Sequence, residues 1–152
     1  MDTSLQLVIF NLDALQLALP LSVVERVIHV VKVTPLPHAP EIVIGVINVH
    51  GRIIPVVNIR KRFRLPEREP RLHDQLMILQ TSKISVAIMV DAVGSVVERQ
   101  DQEVIMADKI LPHIEYVKGA IKLENNIIFI HDIDTFLSLE EEKTLFNALG
   151  KV

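Results

Sequence analysis

Residues 43–63, VIGVINVHGRIIPVVNIRKRF, decide the fold. β-Branched side chains fill most positions of two short runs, 43–49 and 53–59, which is typical of β-strands covered on both faces. His50-Gly51 between the runs has the length of a two-residue turn, in which glycine supplies a positive φ. Pro55 lacks an N–H, so we expect its nitrogen to lie at a sheet edge or a bulge. The stretch therefore predicts a β-hairpin followed by a basic helical turn.

The same pattern recurs near the C-terminus. Residues 117–137, VKGAIKLENNIIFIHDIDTFL, align with 43–63 without a gap, and Gly45 falls on Gly119. A weaker similarity links residues 8–27 to 77–96. Short Val/Ile strands resemble one another by composition alone, but here turn positions match as well as apolar ones. The chain is therefore predicted to use one supersecondary plan twice.

Composition limits the class of protein. The chain has 152 residues, 49% of them hydrophobic, with no cysteine, no tryptophan and a net charge of −3. These values indicate one compact domain without disulfides or thiolate metal sites, and they do not favour a nucleic-acid-binding surface. No apolar run approaches the roughly 20 residues that span a bilayer. The start, MDTSLQ, lacks the basic residues of a signal peptide, so we expect a soluble cytoplasmic protein without direct membrane insertion.

Short elements precede and follow the central hairpin. Apolar runs within residues 5–19 and 75–90 predict two further hairpins. Capping-box spacing at Ser22-x-x-Glu25 and at Ser138-x-x-Glu141 predicts two helix starts. The second begins a C-terminal helix, 138–150, whose apolar stripe consists of Leu145, Phe146 and Leu149 and which ends at Gly150.

Polar segments link these elements. Residues 34–40, TPLPHAP, contain three prolines and are predicted to be an extended loop. Residues 64–74 are charged and are expected to be an exposed, mobile connection between two halves. Residues 104–115 are expected to be an irregular connection around Pro112. Most strands are short, and this layout is typical of a mainly β, barrel-type fold.

Catalytic motifs are missing from the sequence. It has no G-x-S-x-G, no S-x-x-K and no glycine-rich phosphate loop, and its six histidines are scattered. The nearest candidate metal motif is His131-Asp132-Ile133-Asp134, but its carboxylates fit a helix N-terminus equally well. We therefore expect no enzymatic activity, no cofactor and no metal, although long-range convergence of acid and base groups stays an alternative.

A run of basic residues follows the central hairpin. It comprises Arg60-Lys61-Arg62 together with Arg64, Arg68 and Arg71. A nucleic-acid patch is one interpretation. Nearby Glu67, Glu69 and Asp74, the lack of interleaved aromatic residues and the net negative charge favour a solvated surface instead.

Taken together, the motifs resemble those of CheW-like chemotaxis coupling proteins. G-V-I-N-V-H-G-R-I-I-P-V-V-N-I-R is similar to the family pattern of glycine, N-L-R-G, a hydrophobic pair, P-V and D-L-R. L-V-I-F-N-L, T-P-L-P, V-A-I-M-V-D-A-V-G and G-A-I-K-L continue the likeness in order over nearly the whole chain. The resemblance implies a single domain, 1–152, of two SH3-like five-stranded β-barrel lobes packed side by side. The approximate sequence halves are 5–64 and 75–137, with exchange of strands between lobes allowed.

The resemblance also implies a function. CheW-like proteins are non-enzymatic adaptors that link the cytoplasmic tip of methyl-accepting chemoreceptors to the regulatory domain of a CheA-type histidine kinase, at membrane receptor arrays. On this chain the partner-binding groove would be formed by Leu21, Val24, Arg26, Val27, Val46, His50 and Gly51. Core packing is the alternative for each apolar member. A scaffold in another signalling complex and a small enzyme are the rival functions.

Two positions depart from the family pattern. The usual arginine before the turn glycine is His50, and the usual glutamate of the V-x-E-I segment is Arg26, with Glu25 beside it. A carboxylate and a guanidinium at those places could pair in typical members, so we expect that pairing to be lost or inverted here. His50 itself either tolerates a positive φ or contacts a partner.

The substitution His50→Arg separates these two roles of His50. If His50 contacts the receptor, the change alters receptor affinity and leaves folding intact, because a turn side chain contributes little to the core. Affinity is measured by titration and folding by thermal unfolding. Equal affinities of the two forms would remove His50 from the contact surface.

Overall fold

The computed structural model describes residues 4–106 and 116–150, and β-strands dominate it. Its strands are β1 Ser4–Leu12, β2 Leu15–Pro20, β3 Val24–His29, β4 Val43–Val49, β5 Arg52–Val57, β6 Gln75–Gln80, β7 Ser85–Val90, β8 Ala92–Gln100, β9 Ile105–Met106, β10 Val117–Leu123 and β11 Asn126–His131. The α-helices are α1 Ile59–Arg62 and α2 Leu139–Leu149, and 3-10 turns cover Leu21–Val23, Asp101–Glu103 and Ile133–Thr135. None of the described helices is long and apolar enough to cross a membrane.

The strands form two sheets, which confirms the predicted mainly β class. The six-stranded sheet has the order β8-β1-β2-β11-β10-β9, and the five-stranded sheet has the order β3-β6-β7-β5-β4. Neighbouring strands are antiparallel except at one parallel junction in each sheet, β2 with β11 and β5 with β7. Each sheet is consistent with one SH3-like lobe.

The two sheets exchange strands between the sequence halves. The N-terminal hairpin, β1 and β2, joins the sheet built from β8 to β11, whereas β6 and β7 join the sheet built from β3 to β5. A lobe is therefore assembled from both halves of the chain. Neither half, 5–64 or 75–137, contains a complete sheet by itself.

Internal duplication is visible in the strand pairing. The hairpins β4–β5 and β10–β11 have equal lengths, and each has a bulge at the same place, between Val43 and Gly45 and between Val117 and Gly119. The parallel junctions correspond as well, because Val56 opposite Ala87 in one sheet matches Ile130 opposite Ala18 in the other. The gap-free alignment of the two stretches is thus reproduced in three dimensions.

Three apolar clusters make up the core. One lies within the five-stranded sheet and includes Ile54 and Ile78, and a second lies within the six-stranded sheet and includes Ile9 and Ile121. The largest, here called the central core, lies between the sheets and contains Phe10, Leu19, Val57, Met77, Ile88 and Phe136. Because alternate residues of a strand point to opposite faces, β1, β2, β6 and β7 each contribute to two clusters.

The central hairpin is less covered than its sequence predicts. Ile44 and Ile53 are 43% and 45% exposed, so the prediction that both faces are covered is wrong at these positions. They lie near the ends of two strands. Hydrophobic composition alone could not reveal this, because it does not show where a neighbouring layer ends.

Pro55 lies in an internal strand rather than at an edge. Its partner in β4 is Val46, whose backbone N–H and C=O both bond to Thr34 on the other side. Pairing of β5 with β7 begins only at Val56. No hydrogen bond of the sheet is therefore lost for want of an N–H at Pro55. A proline at a sheet edge is tolerated for the same reason.

The two predicted capping boxes have different outcomes. At the C-terminal helix, the Ser138 hydroxyl accepts the Glu141 N–H while Glu141 accepts the Ser138 N–H, as predicted. At Ser22 the prediction is wrong, because residues 21–23 form a single 3-10 turn whose N-cap is Pro20, without a side-chain cap. A capping box needs a following helix, and here β3 begins at once.

The C-terminal helix buries a narrower stripe than predicted. Leu145 and Ala148 are buried in the central core, whereas Leu149 is partly buried and Phe146 is exposed. Gly150 ends the helix in right-handed conformation. The predicted irregular connection 104–115 lies mostly outside the described residues, apart from the short strand β9.

Gly45→Ala should strongly destabilise the fold. A Cβ at residue 45 would overlap the Thr34 carbonyl oxygen and lie 2.8 Å from its carbon, both backbone atoms that cannot rotate away. We expect the free energy of unfolding to fall by roughly 2 kcal/mol or more, as for an overpacked core. Gly94→Ala is the matched control, since its nearest neighbour would be 3.4 Å away. Equal losses in urea unfolding of the two variants would contradict this account.

Candidate partner-binding surface

The predicted surface residues lie at the β3 edge and at the tip of the β4–β5 hairpin. Leu21 is in the 3-10 turn before β3, Val24, Arg26 and Val27 are on β3, and His50-Gly51 forms the tip. β3 is an edge strand that pairs only with β6. Five of these residues are exposed and Val24 is partly buried, so this part of the chain offers a surface to other molecules.

An ion pair joins the two parts of this surface. Arg52, just after the tip, donates from Nη1 to Glu25 Oε2 at 2.7 Å and from Nη2 to Ser85 Oγ at 2.7 Å. A carboxylate–guanidinium pair is therefore present one residue from Arg26 and two residues from His50, whereas loss or inversion of the pairing between positions 26 and 50 themselves stays a prediction. An exposed pair of this kind adds little stability, but it links the tip to β3 by a direct contact. In the sequence, the signal that could have indicated this pair is Arg52, the arginine directly after His50-Gly51.

A bulge in β3 determines which way its side chains face. The register shifts between Val24 and Arg26, leaving Glu25 as the extra residue. Val24 packs on the central core, whereas Arg26 is opposite Ile78 of the five-stranded sheet's own cluster. Val27 follows Arg26 and so faces the other side. The predicted contact residues of β3 thus lie on both faces of one exposed edge.

Val46 differs from the other predicted contact residues. It is 8% exposed and belongs to the central core, which limits what its side chain can offer a partner. This is the core-packing alternative that the sequence left open. The exposed apolar residues of the hairpin are Ile44 and Ile53, which sequence reasoning had placed in covered strands.

The hairpin tip is a tight turn with two left-handed residues. φ is 51° at His50 and 86° at Gly51. The Gly51 N–H donates to Asn48 Oδ1 at 2.8 Å, so Asn48 braces the turn from within β4. Positive φ at both positions is the geometry of a type I′ turn. His50 therefore tolerates the positive φ and is also exposed, so both of its predicted roles stay compatible with the structure.

The basic run forms ion pairs instead of a solvated surface. Arg60 is buried and bonds to Asp13 Oδ2 at 2.8 Å and to Asp91. Arg68 bonds to both Asp74 oxygens, at 2.7 and 2.8 Å, and to Asp91 Oδ1 at 2.6 Å. The interpretation as a solvated patch is therefore wrong at these positions. The connection 64–74 is exposed at most of its positions, as predicted, but it is anchored at Arg68 and Asp74.

This network borders a cleft of about 720 Å³, with Ile44 and Met89 also on its wall. Hydrogen bonding by Arg68 lowers the pKa of Asp74. Burial would raise the pKa of Asp91, but the Asp13 N–H, Arg60 and Arg68 together lower it. Carboxylates held ionised in this way are weak proton acceptors.

Another arginine anchors the C-terminal helix. Arg62 Nη2 donates to both carboxylate oxygens of Glu141, at 2.7 and 2.9 Å, and Nη1 donates to the Tyr116 hydroxyl at 3.2 Å. The guanidinium carbon also lies 5.1 Å from the Tyr116 ring centre. The third member of the basic run is therefore structural as well, which leaves little of it for a nucleic acid.

His131 is a core residue. It is fully buried between the rings of Phe63 and Phe136, and its Nδ1 lies 2.9 Å from the Tyr116 carbonyl oxygen. Burial lowers its pKa to about 4, so the ring is neutral and Nδ1–H donates to that carbonyl. Among residues 4–106 and 116–150, no group of His, Asp or Glu is placed to hold a metal ion.

The structure consists of two sheets that exchange strands, and several of its arginines form internal ion pairs. An exposed strand edge and an exposed hairpin tip remain, which is typical of a scaffold that acts through its surface. A family model of the CheW-like domain matches residues 6–141. The chain belongs to this family, and its function is that of a chemotaxis signal-transduction adaptor.

Individual relatives agree in length as well as in sequence. The chain is 30% identical over 128 residues to the chemotaxis protein CheW of Thermotoga maritima, covering 84% of each chain. It is 28% identical over 152 residues to CheW of Treponema pallidum, covering 96% of this chain and 89% of that one. The crystal structure of the scaffolding protein TtCheW from Thermoanaerobacter tengcongensis superposes with a TM-score of 0.81 at 25% identity, over 90% of this chain and 94% of that one.

The burial of His131 predicts an acid-dependent loss of stability. In the unfolded chain a histidine becomes protonated below about pH 6.5, whereas the buried ring of His131 stays neutral down to about pH 4. The unfolded state therefore binds more protons in this range, and the free energy of unfolding falls as the pH drops from 6.5 to 4. We expect a loss of about 2 kcal/mol between pH 6.5 and 5, measured by urea unfolding.

Two variants isolate this contribution of His131. His131→Leu should flatten the slope between pH 6.5 and 5, because position 131 corresponds to Val57, a buried aliphatic residue, in the first hairpin. His73→Leu, at an exposed site, should leave the slope unchanged. A slope that survives in His131→Leu would contradict the assignment.

Proposed function

We propose that this chain couples chemoreceptors to a CheA-type histidine kinase through protein–protein contacts, with the receptor tip lying against β3 and the hairpin tip. The observation that carries the proposal is the Glu25–Arg52 ion pair, which holds an exposed edge strand and an exposed turn as one surface. A rigid composite surface suits an adaptor, because less ordering is needed on binding.

The chemistry of this surface supports contact with an amphipathic helix. Leu21 and Val27 are 37% and 36% exposed beside the charged residues Arg26 and Arg52. Shallow apolar surface flanked by polar groups is typical of transient protein interfaces, whereas enzyme sites are concave with a few converging polar groups. A helical receptor tip would place apolar side chains on Leu21 and Val27.

The regulatory domain of the kinase is the second proposed partner, on the strength of the family resemblance. The protein would act in the cytoplasm and be recruited to receptor arrays, without inserting into the membrane. We propose no catalytic activity, and Asp74 and Asp91, two of the acids that line the cleft, are bound to arginines. A scaffold in another signalling complex is the alternative, which the identity of the co-purified kinase would reveal.

Co-purification with the kinase and receptor encoded beside this chain tests the proposal. We expect the wild-type protein to be retained by both at micromolar concentrations. Val27→Asp should weaken receptor binding at least about tenfold, because it places a charge on the apolar part of the surface. Leu72→Asp makes the same kind of change at an exposed site in the connection 64–74 and should bind normally.

Two results would count against the proposal. Failure of the wild-type protein to bind either partner would remove the adaptor role in this pathway. Equal receptor binding by Val27→Asp and Leu72→Asp would move the receptor site away from β3. Thermal unfolding of both variants shows whether each is folded.

A further inference from the structure

We infer that the receptor segment docking on β3 presents a carboxylate to Arg26, so that Arg26 selects partners by charge. This inference rests on the proposed function and goes beyond it, since it specifies a chemical feature of the partner.

Arg26 carries a charge that the protein does not compensate. Its side chain is exposed, and within residues 4–106 and 116–150 the guanidinium has no ion-pair or hydrogen-bond partner. Arg52, Arg60, Arg62 and Arg68 each bind at least one carboxylate. Arg26 therefore differs from the structural arginines of this protein and is available to a partner.

The groups nearest to Arg26 in the chain increase its positive field. Glu25 is the only acid of β3, and its carboxylate already bonds to Arg52. Lys32 follows the strand and is exposed. Because Glu25 is paired with Arg52, the β3 edge presents net positive charge to an approaching segment. This charge favours partners that carry carboxylates.

The geometry of the β3 edge lets one helix contact both kinds of group. Arg26 and Val27 project to opposite faces of an edge strand. Leu21, also exposed, lies in the 3-10 turn directly before this strand. A helix lying along this edge would meet an apolar surface on one side and the guanidinium on the other. An amphipathic helix whose acidic residue borders its apolar stripe has this chemistry.

Charge selection follows from the cost of covering Arg26. A partner that buried the guanidinium without an acceptor would lose its hydration and gain nothing in return. A lysine or arginine at that place would add like-charge repulsion. Arg26 therefore favours a partner with a carboxylate at this place and disfavours partners without one. Such a difference in affinity would let an adaptor distinguish among several receptors.

The experiment uses the full chain and the full-length cognate receptor in nanodiscs. The affinity is measured for wild type, Arg26→Glu and Arg26→Lys at low and moderate salt. We expect Arg26→Glu to weaken binding about tenfold or more, Arg26→Lys to retain most of the affinity, and the difference between Arg26→Glu and wild type to shrink as salt rises. Lys32→Glu is the matched control, because it changes net charge equally just beyond β3.

A receptor panel identifies the acidic partner. Each Asp or Glu of the receptor tip is replaced in turn by Lys, and one such variant should bind Arg26→Glu better than it binds wild type.

Three results would contradict the inference. If the wild-type protein binds the receptor and Arg26→Glu binds it with the same affinity, the inference is overturned while the proposed function stays intact. Equal losses in Arg26→Glu and Lys32→Glu would also overturn it, since net charge alone would then explain the effect. Absence of receptor binding by wild type would overturn both.

Discussion

The parallel pairing of β2 with β11 and of β5 with β7 is the constraint on which the rest of the structure depends. Each junction joins a strand from one half of the chain to a hairpin from the other half. As a result, β1, β2, β6 and β7 lie between two apolar layers, and their alternate residues enter different clusters. Neither lobe can bury its share of the central core without strands from both halves of the chain.

This arrangement also decides where contact surface is left. β3 is one of the strands that this arrangement leaves at a sheet edge, and His50-Gly51 is one of its exposed turns. The Glu25–Arg52 pair then brings these distant segments together. The proposed contact surface is thus a consequence of how the sheets close, and one exposed ion pair links its two parts.

Charged residues divide into two groups by what surrounds them. Arg60, Arg62 and Arg68 lie where strand ends, helices and the connection 64–74 converge, and each is held by carboxylates from distant parts of the chain. Arg26 lies on an edge where, within residues 4–106 and 116–150, its side chain forms no ion pair with an acid. In sequence all four look alike, because an arginine's role depends on which groups the fold brings within about 3 Å of it.

Local patterns were sufficient for the hairpins, the duplication, the proline loop and the C-terminal capping box, because periodicity and turn chemistry act over a few residues. The partner surface could be located only approximately: Leu21, Val27, His50 and Gly51 are exposed, but Val46 is core. Glu25 with Arg52, the buried arginines and the buried His131 were decided by tertiary structure, since each depends on contacts between residues far apart in the chain. The sequence by itself determined which segments become strands and turns; the packing of two exchanged sheets decided which of their side chains meet solvent and which meet each other.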